Sequence, residues 1–184
     1  MVAPSAFVEQ LATARIGRTF NQYADGSRAP LLRRRLVAYL ESRREAPILL
    51  VGEAPGYRGA RLSGVPFTSE RQLTGSGPAE ATATIVQRVL RELGLEGEVL
   101  LWNVVPTHPG SAVANRAPTP SEIRAGVLFA HELAPGRRVL AVGRIAQAAL
   151  GGDHVRHPAR GGARAFRAGL VEFAACGQRS ADPP

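Results

Sequence analysis

Three short runs of consecutive apolar residues, each followed by a helix-patterned stretch, restrict this chain to a narrow set of folds. They are PILLVG at 47–52, VLLWNVV at 99–105 and RVLAV at Arg138–Val142. A strand that is apolar at every position has both faces covered, as in a parallel sheet between two layers of helix. Between the first two runs, Ile85, Val86, Val89, Leu90 and Leu93 form one apolar helix face. Pro78 suits the first turn of that helix, Glu80 stands near its positive end and Gly94 ends it. Thr119-Pro120-Ser121-Glu122 reads as a capping box opening a helix to about Leu133. A short helix through Leu150, a brief strand near 154–156 and a last helix over about 162–175 complete the pattern. Two helices, over 4–24 and 29–45, precede it, and Arg33, Arg34, Arg35, Arg43 and Arg44 on the second read as a solvated face. Residues 53–77 read as one long Gly-rich loop, and the tail 177–184 as frayed. Nothing divides the chain, so a single domain over 1–184 is expected.

Such sheets bind ligands outside the carboxyl ends of their strands. The polar signals fall there: Gly52-Glu53-Ala54-Pro55-Gly56 after the first strand, Asn103 ending the second, and His157-Pro158 after the last. Composition narrows the chemistry. A single cysteine, Cys176, excludes a disulfide framework, a four-cysteine zinc site and a cysteine-held iron–sulfur cluster within the chain. The four histidines, His108, His131, His154 and His157, are scattered, which argues against a metal hydrolase; neither metal nor cofactor is expected. No GxGxxG, GxxxxGK[ST] or GxSxG occurs, and Lys is absent, so nucleotide-binding and serine-hydrolase readings are poor. No apolar run is long enough to span a bilayer, and MVAPSAFVEQ lacks the features of a secretory signal, so a cytoplasmic location is expected. The net charge is +8, with 23 basic residues, all Arg, against 15 acids. A GC-rich genome explains Arg in place of Lys but not the excess over acids, which gives modest support to a polyanionic partner.

The three polar segments resemble motifs of the uracil-DNA glycosylase superfamily, most closely its bacterial and archaeal branches. GEAPG with the following YRGARLSGVPFTSERQL is similar to the first motif and its Pro-Phe segment. LWNVVPTHP with NRAPTPSEI is similar to the strand and loop that supply a base-reading Asn, and VRHPARGGARAF to the His-Pro motif. AVGRIAQAAL matches the intervening strand and helix. The likeness runs in order over about 47–170. It implies a three-layer α/β/α sandwich around a four-stranded parallel sheet. It implies hydrolysis of the bond between uracil and deoxyribose in DNA, without cofactor or catalytic metal.

The chemistry of the resemblance assigns roles. A base must leave the stack to be cut, and it is then read in a pocket. Phe67 occupies the stacking position, and Gly52, Ala54, Pro55, Gly56 and Tyr57 belong to the pocket wall. Asn103 offers one acceptor and two donors, so it can accept from uracil N3–H and donate to O4, a pattern that cytosine reverses. His157 would donate to uracil O2 as the leaving base gains negative charge. The residues by themselves also fit a core Phe, an Asn satisfied by backbone and a turn His. Ala54 stands where the best-known members carry their catalytic Asp. Glu53, as in the iron–sulfur branch, or Glu70, as in another prokaryotic branch, would replace it. Gly56 stands where strict uracil enzymes screen C5 with Tyr, which leaves thymine, hypoxanthine and xanthine open as substrates. Arg160 is the candidate wedge. Gly161, Gly162 and Arg164 are the candidate DNA contacts at the start of the last helix, with Arg167 nearby. A monomer acting on DNA is expected; the alternative is a glycosylase-fold module that binds damaged DNA without cutting it.

Overall fold

The structure, a computed structural model, describes residues 3–178. Four strands, β1 (Ile48–Gly52), β2 (Val99–Asn103), β3 (Arg138–Val142) and β4 (His154–Val155), form one sheet in the order β2-β1-β3-β4, with every pairing parallel. The eight helices in chain order are α1 (Pro4–Thr13), α2 (Ala29–Ser42), α3 (Ala60–Ser63), α4 (Glu70–Thr74), α5 (Ala81–Glu92), α6 (Pro120–Leu133), α7 (Arg144–Leu150) and α8 (Ala163–Gln178).

The consecutive apolar residues divide between the two sheet faces. Leu49 and Val51 of β1 join Leu100, Trp102 and Ala141 in a core covered by residues of α1, α2, α6 and α7. Ile48 and Leu50 join Leu101, Leu140 and Val142 in a second core under α5 and α8. Phe7 of α1 meets Trp102 edge-on at 5.4 Å and Phe129 of α6 at 5.6 Å, which seats the N-terminal helix on the first core. β2 lies at the sheet edge, and its Leu101 N–H is taken by the Tyr39 hydroxyl at 2.7 Å.

Two expectations change. The first helix stops at Thr13 rather than running to residue 24. The Asn21 side chain folds back and donates to the carbonyls of Leu11 and Ala14, at 2.9 and 3.2 Å, closing the helix end. Residues 19–22 then strap the segment after β2. Phe20 and His108 exchange backbone hydrogen bonds, Gln22 Nε2 donates to Pro106 O, and the Thr19 and Thr107 hydroxyls meet at 2.6 Å. The Gly-rich stretch is also less open than expected, because α3 and α4 lie within it. Each ends on a left-handed glycine, Gly64 and Gly75. At the far end α8 runs through Gly177 and Gln178 of the expected tail, and 179–184 lie outside the described residues.

The capping box at Thr119 forms as expected and does more than cap. Glu122 is buried and accepts from the Thr119 and Arg18 backbone N–H groups and from both terminal nitrogens of Arg116, at 2.6 and 2.7 Å. The Arg116 hydrogen bonds hold its carboxyl down to about 2 from an ordinary 4.5. A carboxyl depressed by folding stabilises the fold above its unfolded value and loses that contribution as pH falls toward the folded one. Glu122→Ala is therefore expected to cost about 3 kcal/mol. Acid titration of the wild type should show stability draining between 4.5 and about 2, which the variant lacks; urea denaturation across pH measures both.

Candidate active site

The sheet register brings the polar segments together. Gly52 and Asn103 are paired across β1 and β2 at their carboxyl ends. Gly143 follows β3, and the His157 side chain, past β4, packs against it. All four strands thus deliver their ends to one cleft, lined by Glu53–Gly56, Ala60, Phe67, Glu80, Thr82, Asn103, Pro109, Asn115, Arg116 and His157.

Phe67 reaches the cleft through a backbone that few bulky residues adopt. Its φ is +50°, in the left-handed region. The ring lies directly over Gly52. A Cβ on Gly52 would sit 2.3 Å from Phe67 Cζ and 3.2 Å from Asn103 Oδ1, so only glycine fits there. Gly52 therefore backs the pocket without lining it. Asn103 is 4 % exposed, and its amide has no hydrogen-bond partner among the described residues. Neither amide atom is among the fully buried, unpartnered polar atoms, so both open onto the cleft, where their hydrogen-bonding capacity is available to a ligand or to water.

His157 is half-buried, and burial pushes its imidazole down from the ordinary 6.5 toward the neutral form. Its Nδ1 accepts from the Ala159 N–H at 3.2 Å. In a neutral ring that places the proton on Nε2, leaving it free to donate. Glu53 and Glu80 also line the cleft. Both carboxyls are half-buried without a hydrogen-bond or ionic partner among the described residues, and burial pushes both up from 4.5.

Glu70 is not brought to the cleft. It is clasped by Arg35 through two hydrogen bonds and by Arg28 at 2.9 Å, which ties α4 to α2, and the Arg35 hydrogen bond holds its carboxyl below the ordinary value. Tyr57 also stays outside. Its ring stacks on the Arg58 guanidinium at 5.3 Å, and its N–H is taken by Asn115 Oδ1. Gly162 is buried. Its N–H is spent on Ala159 O, and a Cβ there would meet His157 O at 2.1 Å, so it shapes the His157 turn rather than a phosphate contact. Arg160 is exposed, with φ +52°, and Gly161 and Arg164 are exposed beside it. Arg167 instead pairs with Glu92 at 3.7 Å. Arg160 lines an outer groove with Arg144 and Arg156, and none of these three has an acidic partner among the described residues.

Reading along the chain missed two structural anchors. His108, in the loop after β2, is fully buried, with Nδ1 2.7 Å from Pro55 O and Nε2 2.8 Å from Ser111 O. It pins the loop after β1 to the loop after β2. Glu80, expected only as a charge at a helix start, caps nothing with its side chain. Its carboxyl straddles two glycines: a Cβ on Gly56 would lie 1.9 Å from Oε1 and one on Gly59 1.7 Å from Oε2. The available signal in the sequence was the pair of glycines, Gly56 and Gly59, three residues apart in the loop after β1.

The model of the uracil DNA glycosylase superfamily matches residues 40–175, well over half of the chain. This chain belongs to the uracil-DNA glycosylase superfamily. The matched range takes in the three segments that meet in the cleft, and the family's members are DNA glycosylases. The solved structure of wild-type Pedobacter heparinus SMUG2 shares the fold, with a TM-score of 0.69 at 12% identity over 97% of this chain and 100% of that one. No curated protein matches the chain. In this superfamily member no described helix is long and apolar enough to cross a membrane.

The packing of Phe67 on Gly52 yields a direct test. Gly52→Ala should displace the ring, destabilise the fold by about 1–3 kcal/mol and forfeit a base-stacking contribution of about 1–3 kcal/mol. Thermal denaturation together with affinity for a uracil-containing oligonucleotide measures the two losses separately.

Proposed function

We propose that this protein is a cytoplasmic, monofunctional, cofactor-independent glycosylase that flips uracil out of DNA and hydrolyses its glycosidic bond. The observation that carries this reading is the buried Asn103 amide, left without partners beside the Phe67 ring. An amide so placed can bind the N3–H and O4 of uracil, while the ring supplies an apolar face for the base.

The cleft joins the outer groove at Glu53, Thr82, Asn115 and His157, which line both. With the base in the cleft and the sugar in the groove, the bond to be cut lies at this junction. As it breaks, the sugar gains positive charge and the base negative charge. Glu53, ionised, sits where a carboxylate offsets the sugar and orients the attacking water. His157 Nε2–H donates to O2 of the departing base, and a neutral donor suffices for that role. Water supplies hydroxide to the sugar carbon and, through Glu53, the proton that balances the released base. Glu70, engaged by two arginines elsewhere, has no part in this scheme. Arg144, Arg156, Arg160 and Arg164 supply exposed positive charge for the DNA backbone, and Arg160 is placed to fill the gap left by the base.

Both acting groups work in their basic forms, Glu53 as carboxylate and His157 as neutral imidazole. Burial moves the first up and the second down, so the rate should fall on the acid side, starting above the ordinary carboxylate value of 4.5. Glu53→Gln is expected to lower single-turnover release about a hundredfold, and His157→Ala by about 10²–10³. The deciding assay uses end-labelled DNA carrying uracil in single strands and opposite A and G, with hypoxanthine and mispaired thymine alongside. Alkali-labile breaks at uracil that disappear with Asn103→Ala are the expected result. Tight binding to the same DNA with no break at any base would leave the non-catalytic binding module in its place.

A further inference from the structure

We propose that Glu80 sets the specificity of this pocket, closing the C5 edge of the base so that a 5-methyl group is refused. The proposal rests on the glycosylase reading above and names the residue that decides between uracil and thymine.

The position of Glu80 separates it from Glu53. Residues at the junction of cleft and groove line both spaces, and Glu80 lines only the inner one, with Phe67 and Asn103. It therefore meets the base and not the sugar or the water. With Asn103 taking N3–H and O4, and His157 taking O2, the edge of a pyrimidine that remains is C5–C6. Gly56 alone would leave room there, and by sequence that room reads as empty. In the structure the Glu80 carboxyl fills it, close enough to Gly56 and Gly59 that neither tolerates a Cβ. Two glycines and a carboxyl from another element replace one bulky side chain.

The carboxyl also acts through its hydration. It makes no hydrogen bond to the N-terminus of α5, and no cation pairs with it among the described residues. Uracil presents a bare C5–H and leaves the carboxyl its remaining water. Thymine would press a methyl against it, removing that water and offering no hydrogen bond in exchange. Volume and desolvation therefore act in the same direction. The pocket takes deaminated cytosine and refuses thymine, whether thymine arises by replication error or by deamination of a 5-methylated cytosine.

The test is the single-turnover release of uracil and of thymine, each opposite G in the same duplex, by wild type, Glu80→Ala and Glu80→Gln. In Glu80→Ala the preference for uracil over thymine should fall about tenfold or more, the range a single methyl commands in a fitted pocket. Glu80→Gln keeps the volume and should retain more of the preference than Glu80→Ala. A Glu80→Ala variant that loses both rates together, with the ratio unmoved, overturns the proposal and makes Glu80 structural or catalytic instead. The same duplexes are also titrated for binding, and the Kd ratio is compared between wild type and variants. Absence of release by every protein refutes the glycosylase reading alone, whereas a Kd ratio unmoved by Glu80→Ala overturns this one.

Discussion

The contact between the last residue of β1 and the Phe67 ring organises the rest of the molecule. Gly52 closes the strand and is paired with Asn103, so anything resting on Gly52 also rests beside the Asn103 amide. Phe67 can rest there only by holding a left-handed backbone, a conformation that costs on the order of 1–3 kcal/mol for a bulky residue. That cost is offset by fixed neighbours. Ser63 Oγ donates to Thr68 O at 2.6 Å, and Gln87 of α5 donates to Phe67 O at 3.1 Å. The short helices α3 and α4 exist to shape this turn. The packing of α5 on the sheet and the geometry of the pocket floor are thus one arrangement.

Four glutamates show how surroundings, rather than residue type, divide labour. Glu122 and Glu70 are met by arginines and backbone donors, stay ionised and hold pieces of the fold together. Glu53 and Glu80 are half-buried with no partner among the described residues, and both are pushed toward the protonated form. Folding gains nothing from such groups, so their persistence in one cleft points to chemistry and recognition there. Glu53 lines both the cleft and the outer groove and Glu80 the cleft alone, which is the basis of the different tasks proposed for them.

Much of this was readable along the chain. The central sheet followed from apolar runs at 48–52, 99–103 and 138–142, because a strand covered on both sides has no polar positions to blur it. The cap at Thr119 and the three motif segments were equally plain, since each depends on residues near in sequence. The N-terminal helix was read eleven residues too long, over 14–24; what ends the helix is Asn21 turning back to its carbonyls, and what holds the strap is pairing with 106–108. α3 and α4 were hidden by glycines that serve as their caps.

The sequence by itself determined the fold class and singled out three residues that line the cleft, Phe67, Asn103 and His157, because strand periodicity and motif spacing are local properties. Only the tertiary structure decided between Glu53 and Glu70 as the carboxylate at the cleft, since the choice depends on Arg28 and Arg35, some thirty-five to forty-two residues away in the chain. It alone made His108 a buried pin, through the carbonyls of Pro55 and Ser111. It alone set Glu80 against Gly56 and Gly59. Each of these outcomes depends on which distant atoms share a low-dielectric space, and no pattern along one chain records that.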